Sequence, residues 1–140
     1  MKKKLFNGLA MLLMMVMMYS NYSMASSGSS SVTVPAGCLL VTGVSGVTRT
    51  TNYSYVQVKA NSIYPTGNYD KDTFTKCKTV ICKNDSTNTK ISNVYTLTEG
   101  SGYTNVYIHE GYLSLAKVNI CFAGNDPFLG AVVNFSYDSK

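Results

Sequence analysis

From Val32 onward the chain alternates. Apolar side chains fall at every second position in short runs, and Gly, Asn, Asp, Ser or Pro break the runs roughly every 8–12 residues. A period of two belongs to a strand, because successive side chains leave opposite faces of an extended backbone. Val56, Val58 and Ala60 share one side of such a run, with Tyr55, Gln57 and Lys59 on the other. Ala116, Val118, Ile120 and Phe122 repeat the pattern, as do Ala131, Val133, Phe135 and Tyr137. Residues 38–44 read as an apolar run ending in a Gly43…Gly46 turn, and residues 74–83 and 91–98 supply further runs. Val106 and Ile108 follow a Gly100-Ser101-Gly102 turn, and residues 84–88 (Asn-Asp-Ser-Thr-Asn) form a turn by composition. Thr, Val, Tyr and Ser dominate these stretches, and no window sustains a 3.6-residue period, so helices are disfavoured. The expectation is an all-β fold: a small antiparallel β-sandwich, Ig-like or jelly-roll-like, of seven to nine short strands. One helical turn in a connection, for instance around residues 61–69, is compatible with this pattern.

The start of the chain obeys different rules. Lys2, Lys3 and Lys4 precede an apolar stretch over residues 9–18, and Ser23-Met24-Ala25 offers small residues before a cut. Basic head, short apolar middle and small-residue end make a secretory signal peptide, expected over residues 1–25 and removed after Ala25. The apolar stretch is about half the roughly 20 residues of a membrane-spanning helix, so no stable insertion is expected after cleavage. All seven methionines lie before the cut. Twelve basic residues less the three leader lysines leave nine against seven acidic ones, so the net charge of +5 falls to +2. That balance gives no reason to expect a nucleic-acid partner, and Lys76, Lys78 and Lys83 read as a solvated strand face. The 140 residues less 25 leave 115, enough for one core. Residues 26–31 (Ser-Ser-Gly-Ser-Ser-Ser) read as a flexible lead-in, and residues 32–140 as a single β domain.

Cys38, Cys77, Cys82 and Cys121 are an even set in a chain expected to be secreted, so two disulfides are expected. Lys78, Thr79, Val80 and Ile81 separate Cys77 from Cys82, with no Gly or Pro to bend the chain. As a strand, that segment would hold the two Cα atoms about 16 Å apart on opposite faces. A disulfide tolerates less than about 7 Å. Both cysteines are therefore expected to reach distant partners at Cys38 and Cys121, in either assignment.

Candidate chemistry is thin. His109, the single histidine, would need a free thiolate for a Cys–His pair, and a zinc site with Cys77 and Cys82 lacks a second short ligand pair. Glu99, Glu110 and Asp126 sit beside glycines or in turns, which explains them without acid–base catalysis. Asp70-Lys71-Asp72 and residues 84–88 lack calcium-loop spacing. No catalytic residue, metal or cofactor is expected, and the reading leans away from an enzyme. Tyrosine is the one enrichment: of eleven, all but Tyr19 and Tyr22 follow the leader, and tryptophan is absent. Tyr53 and Tyr55 share a strand face, as do Tyr103 and Tyr107, and these four are the binding candidates. Phenol rings give amphipathic contact area at low entropic cost, although tyrosine also suits any strand. The function expected is a binding module for a protein or glycan on a host or bacterial surface. The alternatives are a bacteriocin- or toxin-like secreted effector and a small extracellular hydrolase.

Overall fold

A computed structural model describes residues 25–70 and 74–140. The expected leader through Met24, and Lys71 and Asp72 of one candidate calcium stretch, lie outside the described residues. The alternating runs become eight strands: β1 (Ser27–Val34), β2 (Val41–Thr48), β3 (Tyr55–Pro65), β4 (Lys76–Lys83), β5 (Tyr95–Thr98), β6 (Thr104–Tyr107), β7 (Lys117–Ala123) and β8 (Ala131–Asp138). They form two antiparallel four-stranded sheets, β1-β8-β3-β6 and β2-β7-β4-β5. The pairing has a simple rule. First meets last (β1 with β8), then β2 meets β7, β3 meets β6 and β4 meets β5. The chain is thus a long hairpin doubled on itself. Rolling it up brings β8 against β3 and β7 against β4.

Strand parity decides what the two sheets bury. Val56, Val58 and Ala60 of β3 and Val133 and Phe135 of β8 face Val118, Ile120 and Phe122 of β7 in one shared core. Phe122 and Phe135 meet across it with ring centroids 4.4 Å apart. Full burial of a side chain of this size contributes roughly 1.5–3 kcal/mol. Among the described residues no helix is long and apolar enough to cross a membrane.

Four expectations need correction. Residues 27–31 are not a flexible lead-in: they open β1, and each is paired with a residue of β8. Their backbone groups join the ladder whatever the side chains, the Ser29 and Ser136 hydroxyls share a hydrogen bond of 2.7 Å, and Gly28 makes room for Tyr137. Gly43 and Gly46 do not end a strand either. Both lie inside β2, whose register slips between Thr42 and Val44 and again between Val44 and Val47. A Cβ on Gly43 would stand 2.6 Å from the Phe122 ring, and Gly46 takes φ +65° in the second slip. Among the described residues a helical turn, of the 3-10 kind, stands at Glu110–Tyr112, whereas residues 61–65 extend β3. Asn61 drops out of register between Ala60 and Ser62, which breaks the alternation that would have marked a long strand.

The fourth correction concerns sulfur. All four cysteines are thiols, and no pair stands bonded. Cys77 and Cys82 do point to opposite faces of β4: Cys77 enters the shared core near Ile81, and Cys82 joins Val80 on the outer side. No other thiol of the four enters that core, so Cys77 has no partner there. Cys38 sits in the connection before β2 with φ +55°.

Candidate functional site

The parity that buries Val56, Val58 and Val106 sends their neighbours to the outer face of the first sheet. There β3 and β6 pair with Tyr55 opposite Tyr107 and Gln57 opposite Asn105. The Tyr55 and Tyr107 rings stand 5.5 Å apart at 65°, and Tyr53, just before β3, adds a third ring 5.8 Å from Tyr55 at 66°. These are edge-to-face contacts, the arrangement that the quadrupole of an aromatic ring favours. One step along the strands, Gln57 Nε2 donates to Asn105 Oδ1 at 2.9 Å. A further step on, Lys59 Nζ lies 5.0 Å above the Tyr103 ring. Strand geometry sets successive steps about 7 Å apart, so the face runs about 13 Å from Tyr107 to Tyr103. Tyr53, Tyr103 and Tyr107 are each between 45% and 49% exposed, while Tyr55 is half-buried beneath its neighbours. The face continues onto β8, where the Ser136 hydroxyl accepts from Asn61 Nδ2 at 2.9 Å. All four candidate tyrosines therefore share one surface.

One residue that positions this surface escaped the sequence reading. Arg49, the only arginine, follows β2 and is wholly buried. Its guanidinium donates to the carbonyls of Leu113 (2.8 Å) and Leu115 (3.0 Å) and to that of Tyr53. It ties the approach to β3 to the segment after the 3-10 turn and so fixes where Tyr53 stands. Burial lowers its pKa, yet a guanidinium keeps its charge throughout the ordinary pH range. A single arginine in Val47-Thr48-Arg49-Thr50-Thr51 carries no motif that could have marked it.

The remaining candidates do not gather into a site. Asp126 Oδ1 accepts from the backbone N–H groups of Phe128 (2.7 Å) and Leu129 (3.0 Å), a turn-forming role. Glu110 opens the 3-10 turn and Glu99 follows β5. His109 is exposed, its Nε2 3.3 Å from Asn93 Oδ1. Asp85 accepts from the Thr87 hydroxyl and N–H, which holds its carboxyl below the usual range. Among the described residues no three His, Cys, Asp or Glu side chains come together to hold a metal ion. A cleft of about 340 Å³ opens beside β4 on the second sheet, lined by Cys38, Leu40, Lys78, Val80, Lys90 and Val94 among others. That volume is at the low end for small-molecule sites, and no tyrosine lines it. Comparison with models of protein families, with curated proteins and with solved structures found no match.

Proposed function

We propose that the chain is an exported β-sandwich domain of the jelly-roll kind that acts by binding, and that the tyrosine face of its first sheet meets a glycan outside the cell. The first-with-last strand pairing supports the jelly-roll reading, since a doubled hairpin rolled into two sheets is that architecture. Such folds host many functions, so the binding reading rests on the face itself. One observation carries it: Tyr53, Tyr55, Tyr107 and Tyr103 lie along one uncovered surface, interleaved with an amide pair and a lysine. Phenol rings offer flat apolar area to the C–H faces of sugar rings, and amides and hydroxyls satisfy sugar hydroxyl groups. The basic, apolar and small-residue order of the leader supports export.

The test is a glycan array probed with the purified domain beginning at Ser26. Retention on a defined glycan is expected, and Tyr53→Ala with Tyr107→Ala should weaken it about tenfold or more, at roughly 0.5–1.5 kcal/mol for each lost ring contact. Binding that is indifferent to every one of the four tyrosines would refute the reading.

A further inference from the structure

β4 and β7 are the inner strands of the second sheet, paired with Val80 opposite Cys121 and Cys82 opposite Asn119. Cys82 and Cys121 are therefore diagonal neighbours on one face, the face turned away from Cys77. Both are fully buried, packed with Val80 and against Leu40. The two thiols belong to one buried cluster on that face. Thr42 Oγ1 and Asn88 Oδ1 each lie 3.8 Å from the Cys121 sulfur. Asn88 is itself pinned, accepting from Asn119 Nδ2 at 3.0 Å and donating to Thr42 Oγ1 at 2.9 Å. The pair is thus unequal. The neighbouring Cys82 thiol and Thr42 hold the Cys121 thiol below its ordinary range, whereas the Cys121 thiol and burial push Cys82 up.

We propose that Cys82 and Cys121 are an oxidisable pair that joins as the protein's single disulfide, while Cys38 and Cys77 stay thiols. The oxidant is a small disulfide such as oxidised glutathione, and it acts as the chain folds or opens, because both sulfurs are buried in the closed molecule and because closing the link draws the diagonal pair in from the roughly 7–8 Å of strand geometry to the reach of a disulfide. The thiolate of one cysteine of the pair attacks one sulfur of that disulfide and releases a thiolate. The other cysteine then gives its proton to the released thiolate and attacks the mixed disulfide at the first cysteine, expelling the second small thiolate. Two protein thiols lose two electrons and two protons, and one small disulfide becomes two thiols. Cys77 is excluded because it faces the inter-sheet core, and Cys38 because it lies in a loop beside the cleft, outside the buried cluster of the other two.

The experiment uses the domain equilibrated in reduced and oxidised glutathione, alkylated under denaturing conditions without reductant, then digested with trypsin. Cleavage after Arg49, Lys76, Lys78, Lys83 and Lys117 puts each cysteine on its own peptide. Residues 79–83 should appear joined to residues 118–140, with Cys38 and Cys77 alkylated. The oxidised form should melt on the order of 10 °C higher than the reduced one, because the link closes the long loop between Cys82 and Cys121. Cys38→Ala should keep that shift and Cys82→Ala should lose it. Four alkylated cysteines under oxidising buffer, or any link that includes Cys38 or Cys77, would overturn the proposal. Neither result depends on whether the tyrosine face binds a glycan.

Discussion

Arg49 and Cys77 carry opposite kinds of burial. Arg49 is a charge satisfied by carbonyls, with only its Nε lacking a partner among the described buried side-chain atoms. Replacing it with methionine keeps much of the volume but leaves three acceptors without their donor. Arg49→Met should therefore cost roughly 3 kcal/mol or more in urea unfolding, at about 1–3 kcal/mol per buried group left unmade. Cys77 is a thiol in hydrocarbon, and burial pushes it up to about 12 from an ordinary value of 9.0. The sign follows from which state ionises first. The unfolded chain gives up the proton near pH 9, while the folded chain holds it until about pH 12. The contribution of Cys77 is complete below pH 9 and declines as pH rises toward 12, by roughly 1.4 kcal/mol for each pH unit. Unfolding free energies measured across pH 8–12 should show this alkaline decline reduced in Cys77→Ala, and parallel curves for the two proteins would contradict it.

Among the elements, legibility followed side-chain contrast. β3, β7 and β8 could be read because valine, isoleucine and phenylalanine alternate with polar residues, and the core they form lies where that alternation put it. β1 could not. Its first half is serine and glycine, and what makes it a strand is the edge that β8 offers, a partner more than a hundred residues away. Deleting residues 26–31 should accordingly lower stability by about 2–4 kcal/mol, at 0.5–1.5 kcal/mol for each hydrogen bond lost, whereas removing a true flexible lead-in would leave the unfolding midpoint unchanged. β2 hid its extent behind two glycines that serve bulges and a close approach to Phe122 rather than a turn. The candidate site was half legible for the same reason. Parity within a strand sorts Tyr55 outward, and spacing pairs Tyr103 with Tyr107, but that both sets share one surface depends on the register of β3 against β6. No local pattern encodes that register.

The whole molecule presents two unlike outer faces. The first sheet offers rings, amides and a lysine in a flat array, and the second offers a modest cleft between Lys78 and Lys90 over apolar residues. A flat aromatic array and a small cleft call for different partners, so the position of the ligand is the sharpest question. The most direct measurement is an amide chemical-shift titration of the labelled domain with the glycan that the array selects. The tyrosine-face account expects the shifts to concentrate in residues 53–59 and 103–107, with Arg49 and its carbonyl partners following in lesser degree. Shifts confined to Leu40, Lys78, Lys90 and Val94, with the tyrosine strands silent, would contradict it.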